Sequence, residues 1–409
     1  MMLSKSAIEM APPFSLVSKF FITAALFLGA VMSSLPFLPL ESPMLGLATA
    51  GVVHLYFLGF VMMIIMGALY QLVPVVLEVP FSTLKGSTHL FVTYTFGTLA
   101  LGIGMILNIT LLMHLGGGLV YLSLFYFSVT FLLSFRAVTH WTLVGGYLLI
   151  AGILLIGAIS FGMALLLLMT GSYASGDVIY LVTRHASLAL GGFVMLIVMG
   201  VSLILLPMFA LAHNFTNIWG KLALVSVCTA LGLGLVSSSE SALWGFLALA
   251  GLFYLIQVLH ILSRRMRKQN DYWFGNLMAS FGFLLLAIIA GTIGYISGEE
   301  KWLKVAFFLA AIGFGFHFVM GHMYKILPFL IWYKYISPLV GKQKVPMLHE
   351  MIFDRAAYAQ MWLGMGGTLL VSACIVFDFE ILGTIGGGLL ALSAWAALYN
   401  VWYAYTFKQ

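Results

Sequence analysis

The sequence predicts an all-α polytopic membrane protein whose twelve transmembrane helices form a threefold pseudo-repeat of four-helix blocks. Three observations carry this. Hydrophobic residues make up 63% of the 409 positions and charged residues 7%, more apolar surface than a water-soluble domain hides. Twelve apolar runs follow one another, each longer than the ~20 residues that cross a hydrocarbon core. One segment occurs three times at constant internal spacing, the mark of internal triplication.

The runs fall at roughly 14–39, 46–79, 88–108, 110–135, 142–170, 180–208, 219–238, 240–263, 273–297, 301–330, 356–376 and 380–405. The first 13 residues carry no cleavage-site pattern, and the run behind them is long enough to span, so it is read as a first span and not as a signal peptide. The repeated segment lies in spans 2, 6 and 10. Gly59-Phe60, Met66-Gly67 and Pro74 are matched by Gly192-Phe193, Met199-Gly200 and Pro207, and again by Gly313-Phe314, Met320-Gly321 and Pro328. Seven residues separate Phe from Gly and seven separate Gly from Pro in every copy; the copies start 133 and then 121 residues apart. Spans 4, 8 and 12 close the blocks: each has small residues early, aromatics late and a basic end at Arg136, at the 264–268 cluster and at Lys408. The expected organisation is one transmembrane domain over 1–409 with pseudo-repeats at about 14–135, 142–263 and 273–405. The repeat glycines are expected to admit close helix approach, and the prolines to end or kink each helix near the inner surface.

Charge sets the orientation. With the N-terminus in the cytoplasm, Lys5, Lys85, Arg136, Lys221, the 264–268 cluster, Lys334, Lys342, Lys344, Arg355 and Lys408 all lie inside; Arg184, Lys301 and Lys304 lie outside with Glu41, Asp177, Glu240, Glu299, Glu300, Asp378 and Glu380. The positive-inside rule then places both termini in the cytoplasm and the protein in a cytoplasmic (inner) membrane. The segment 331–355 is read as a basic cytoplasmic loop, solvated or in contact with lipid headgroups or a partner. The formal charge of +6 belongs to membrane-flanking residues and calls for no nucleic-acid partner. Acidic residues are nearly absent from the spans, Glu78 coming nearest, so no acidic relay for proton pumping is visible. Cys228 and Cys374 lie in apolar runs and read as packing residues. No CxxCH is present, which excludes a covalent c-type heme, and neither a nucleotide-binding loop nor a protease motif occurs. Met62, Met63, Met66, Met195 and Met199 are expected in packing or pocket lining, not as copper handlers.

An imidazole inside a membrane is costly unless something binds it, and heme iron, clamped by histidines from two helices, is one such partner. His54 stands 13 residues before its repeat glycine and His185 stands 15 before its own. At ~1.5 Å per residue the two match in height to within ~3 Å, in the outer part of the membrane. His317 is 4 residues before Gly321 and so lies about 13 Å deeper than His54; it marks a candidate second heme or metal site. His322 is deeper again and, five residues on, about 140° around the helix. Arg184, Lys301 and Lys304 are candidates to neutralise heme propionates, with snorkelling as the alternative. Hydrogen-bonded packing is the alternative for each histidine. His213, closing PMFALAH, is carried as a weaker candidate, and His89, His114, His140, His260 and His349 read as boundary residues.

Twelve spans in a threefold repeat, with His54 followed by the ending GALYQLVP, resemble the catalytic subunit of the heme-copper oxidase and nitric oxide reductase superfamily. The resemblance implies that His54 is an axial ligand of a low-spin heme b, and it extends to Met320–Pro328. The chain departs from the family pattern in two places. The positions around Phe308 hold no H-x-H, and span 7, WGKLALVSVCTALGLGLVSS, holds no paired histidines, so a complete binuclear centre is not expected. The segment 184–213 is also similar to a histidine-led span of the NnrS family and of stand-alone oxidase-subunit-I-like proteins. These likenesses imply a heme b-binding protein, with one or two hemes and copper as the lesser candidate, in electron transfer or in sensing or handling nitric oxide or oxygen without proton pumping. An oxidoreductase activity stays open, as do respiratory-complex subunits or an electron donor as partners beside the lipid bilayer. Two other classes fit the same residues: a heme or copper transport or assembly factor, and a cofactor-free structural subunit of a respiratory complex.

Overall fold

The computed structural model describes residues 10–38, 46–172, 176–237 and 239–408. Lys5, Glu41 and the ends assigned to spans 1 and 7 at 39 and 238 lie outside the described residues. Twelve helices among those described are long and apolar enough to cross a membrane: α1 (Phe14–Phe37), α2 (Leu47–Val76), α3 (Ser87–Ile106), α4 (Thr110–Ala137), α5 (Leu143–Met169), α6 (Val178–Ala210), α7 (Ile218–Val236), α8 (Glu240–Ser263), α9 (Tyr272–Ser297), α10 (Glu300–Leu339), α11 (Asp354–Phe377) and α12 (Glu380–Thr406). Each expected span is present. Side chains such as Leu26, Phe96, Leu122, Val225, Leu392 and Trp402 stand exposed along them, a surface that only lipid covers at low cost. This is a multi-pass helical membrane protein.

Polar residues start several helices. The side chains of Thr142, Asp177, Ser239 and Asp271 accept from backbone N–H groups of the first turns of α5, α6, α8 and α9, satisfying donors that the helix itself leaves open.

The three repeated segments share a local departure from α-helix. Residues Phe57–Met62 of α2, Ser187–Val194 of α6 and Leu309–Phe316 of α10 are π-helical, and each stretch contains the repeated Gly-Phe pair. Wider π turns shorten the rise per residue, so a uniform α-helical rise misstates depth along these spans. Leaving the π residues out, the step from His54 to Gly67 and that from His185 to Gly200 are equal. The two-residue difference in spacing lies wholly in the longer π segment of α6.

The prolines behave in two ways. α2 ends at Val76 and α6 at Ala210, two and three residues past Pro74 and Pro207. Pro328 does not end α10, which runs on through a π turn at Trp332–Ile336 and a 3-10 turn at Ser337–Leu339. The stretch expected as loop from 331 is therefore helical to 339. Local π and 3-10 adjustment re-pairs backbone groups that a proline frees, and Trp332 Nε1 ties the end of the helix to Pro346 O at 2.9 Å.

The chain divides into two compact units, one formed by 65–268 with the segment before Val17, the other by 17–64 with 269–409. The expected block 142–263 lies wholly in the first and 273–405 wholly in the second, whereas 14–135 is divided between them. In the first unit, α3 and α4 form a tight hairpin, as do α7 and α8. A Cβ on Gly192 of α6 would lie 3.0 Å from Leu154 of α5. Gln257 of α8 accepts from Gly220 N (3.0 Å), whose carbonyl takes the Tyr147 hydroxyl (2.6 Å).

In the second unit the same device recurs. A Cβ on Gly59 of α2 would run into the Phe27 ring of α1, and one on Gly313 of α10 would lie 2.7 Å from Phe283 Cβ of α9. The glycine of the repeated Gly-Phe pair thus lies against the preceding helix in all three copies. α11 and α12 meet backbone to backbone: a Cβ on Gly367 would be 2.7 Å from Gly386 O. α12 also lies on α1, with Trp395 Nε1 donating to Ser33 Oγ at 3.0 Å. One further bracket appears three times. The backbone N–H of Ser82, Gly220 or Phe353, at or just before the start of α3, α7 or α11, is held by Ser134, Gln257 or Asn400 from α4, α8 or α12.

Candidate heme-ligand histidines and a buried polar cluster

His54 lies in the last α-helical turn of α2 before its π segment, half-buried, with Nδ1 on Ala50 O at 2.7 Å. His185 occupies the corresponding place in α6. It is half-buried too, with Nδ1 on Ala158 O of α5 at 2.9 Å. A Cβ on Gly162 would come within 2.8 Å of its Cε1, so this glycine lets the imidazole reach α5. In both rings the bond to a carbonyl puts the proton on Nδ1. That leaves Nε2 as the lone-pair nitrogen, the arrangement in which metal-bound histidines are commonly held.

Arg184, next to His185, is only 3% exposed. Its guanidinium lies over the Tyr180 ring, 4.7 Å from the centroid, and Nε and Nη1 have no hydrogen-bond partner among the described residues. An arginine stays charged in proteins, so these two buried nitrogens call for a partner. Lys301 and Lys304 are placed differently: they pair with Glu299 (2.8 Å) and Glu300 (3.7 Å).

His317 and His322 sit in closed packing in α10, 0% and 5% exposed. His322 Nδ1 bonds to Phe318 O one turn back, at 2.9 Å. The His317 ring lies beside Phe283 and Phe316, and a Cβ on Gly364 of α11 would be 2.9 Å from its Cε1. His317 Nε2 is buried and finds no hydrogen-bond partner among the described residues. His317 ends a polar cluster in the core of the second unit. Asn276 Nδ2 donates to Tyr272 O (2.9 Å) and to Gln360 Oε1 (3.1 Å). Because a carbonyl can only accept, Asn276 Oδ1 must face His317, whose Nδ1 donates to it at 2.9 Å. Gln360 Nε2 returns to Asn276 Oδ1 (3.3 Å), Tyr324 donates to Gln360 Oε1 (3.1 Å) and Ser393 to Gln360 O (2.6 Å). At the start of α9, Asp271 pairs with Lys325 of α10 at 2.9 Å.

A search for acidic residues in the spans does not find this cluster. Its signal in the chain is lone amides in apolar runs, Asn276 in WFGNLMASF and Gln360 in AAYAQMWLG; each is costly in hydrocarbon and calls for a partner. Tyr56, two residues past His54, carries no motif at all, yet its hydroxyl donates to Ala311 O of α10 at 2.8 Å.

His213 is exposed beyond α6 with Nδ1 on Leu211 O, while His114 bonds the Thr170 hydroxyl and His260 accepts from Thr216 N. Met62, Met63, Met66 and Met199 are buried in packing. Among the described residues no three His, Cys, Asp or Glu side chains converge, as a metal held by protein ligands alone requires. A heme iron asks for only one or two.

No protein-family model and no curated protein matches the chain.

Proposed function

We propose that this protein binds b-type heme, one or two per chain, with His54 and His185 each serving as an axial ligand through Nε2. It acts in electron transfer or in sensing or handling nitric oxide or oxygen. Its twelve helices are arranged as three oxidase-subunit-I-like blocks, in the cytoplasmic membrane with both termini inside. The observation that carries the reading is the pair Arg184–His185. A buried guanidinium, two of whose nitrogens find no hydrogen-bond partner among the described residues, stands beside an imidazole whose Nδ1 is already tied to a carbonyl. A bound heme would offer its iron to the imidazole Nε2 and its propionates to the guanidinium. The shared π-helical segments support the block arrangement, and they are a feature that often accompanies functional sites. Bound heme would bring an iron that cycles between ferrous and ferric states. The chain's own part is to hold the imidazoles in one tautomer and to neutralise the carboxylates. His317 and His322 are left out of the ligand set because their rings are enclosed.

Pyridine hemochrome analysis and reduced-minus-oxidised spectra of the purified protein test this. One or two b hemes per chain are expected, reduced in His54→Ala and in His185→Ala. Arg184→Gln is expected to retain a heme that dissociates faster. Colourless protein after expression with ample heme would sink the reading in favour of a cofactor-free structural subunit, and exchangeable, substoichiometric heme or copper would favour a transport or assembly role.

A further inference from the structure

We infer that Tyr56 is a positioning residue: it ties the outer end of α2 to the π-helical segment of α10 and so fixes the setting of His54. This rests on the reading of His54 as a heme ligand, and it adds a residue that no motif marks.

The geometry is specific to the first block. Tyr56 is the last α-helical residue of α2 before its π segment, two residues after His54. It is 3% exposed, and its ring packs against Phe57 and Phe60, with centroids 5.1 and 5.5 Å away. Its hydroxyl crosses to Ala311 O, inside the π segment Leu309–Phe316. Gly315 lies one turn along α10 beside this bond: a Cβ there would be in ordinary contact, 3.6 Å from the hydroxyl, and only a larger side chain would crowd it. The residues at the same repeat position in α6 and α10 are Ala189 and Ala310, which cannot make such a bond.

A π segment is a natural point of slack, because converting it to α-helix changes the residue count per turn and rotates everything beyond it. His54 lies beyond such a segment on α2. Its bond to Ala50 O is local and turns with the helix. The Tyr56–Ala311 bond joins α2 to a second helix at the level of both π segments. With it in place, a change of register in either segment requires breaking a buried hydrogen bond.

The test uses the full-length protein in detergent or nanodiscs. Tyr56→Phe removes the hydroxyl and keeps the ring. Tyr147→Phe removes a comparable buried bond, to Gly220 O, far along the chain from His54. Gly315→Val, which crowds the hydroxyl, serves as a second variant if Tyr56→Phe folds poorly. The expected result for Tyr56→Phe has two parts. Amide hydrogen exchange rises about five- to tenfold in 47–62 and 309–316, the scale of one lost neutral hydrogen bond. Heme content stays near wild type while the low-spin heme spectrum and midpoint potential shift. Tyr147→Phe should leave the spectrum and potential unchanged. Faster exchange with an unaltered spectrum would overturn the positioning role, as would unaltered exchange. If wild type and His54→Ala carry the same heme, or none, the heme reading fails by itself, and exchange in 47–56 still decides whether Tyr56 holds the turn that bears His54.

Discussion

His317 donates from Nδ1 to Asn276 Oδ1 across 2.9 Å, and the direction of that bond is dictated from the other side of the amide, where Nδ2 is engaged by Tyr272 O. A neutral His317 therefore carries its proton on Nδ1. Selective 15N labelling of histidine should show this ring as the Nδ1–H tautomer, and Asn276→Leu should release it.

The same substitution strands Gln360 as well as His317. Loss of a buried hydrogen-bond partner costs about 1–3 kcal/mol, and Asn276→Leu should lower stability by that order in reversible unfolding from detergent micelles. Gln360→Leu alone should do the same. The double variant should be less destabilised than the sum, with a coupling of about 0.5–2 kcal/mol, as for side chains in one network. Additive effects would show that the cluster does not act as a unit.

His317→Ala should leave the heme-to-protein ratio at the wild-type value while lowering stability, in contrast to His54→Ala and His185→Ala. The enclosed ring is the reason: Gly364, Phe283 and Phe316 surround it. A fall in heme content in a folded His317→Ala protein would return this histidine to the ligand set.

The α11–α12 hairpin supplies a packing prediction. Any side chain at Gly367 meets the carbonyl of Gly386, and backbone cannot move aside as a flexible side chain does. Gly367→Val should cost about 1–3 kcal/mol, the usual scale of overpacking. A Cβ on Gly388 would meet nothing within 4 Å, so Gly388→Ala should be neutral or slightly stabilising, since alanine is the better helix former. Thermal unfolding of the two variants side by side decides it.

Single-cysteine labelling addresses topology. Positions in the 264–268 cluster should react with impermeant thiol reagents only from the cytoplasmic side, and positions 301 and 304 only from the opposite side, if the basic loops obey the positive-inside rule.

Much of the architecture is legible in the chain because hydropathy and length act locally. A run of some twenty apolar residues has few alternatives to a membrane helix, since every backbone N–H and C=O must be paired within the span. All twelve helices follow from that. The repeat spacing likewise marks where Gly59, Gly192 and Gly313 meet a neighbouring helix. Pro328 is the exception, because whether a helix survives a proline depends on what re-pairs the freed groups, and here α10 runs on past it through a π turn at Trp332–Ile336.

The site is legible only in part. His54, His185 and Arg184 stand out as polar residues in apolar surroundings, but their chemistry depends on what each ring or guanidinium meets. His185 reaches Ala158 of another helix, and that two buried nitrogens of Arg184 find no partner among the described residues emerges only once α6 is packed. The π segments carry no residue signature beyond Gly-Phe.

The sequence by itself determined the membrane class, the number of spans, the repeated segments and the polar residues that need an explanation, because each follows from composition within one span. Tertiary structure alone decided which of those residues are satisfied and by what. Asn276 and Gln360 are 84 residues apart in the chain, and Tyr56 and Ala311 are 255 apart. A hydrogen bond holds over about half an ångström of variation and a limited range of angles, and only the packing of whole helices brings such distant groups to that geometry.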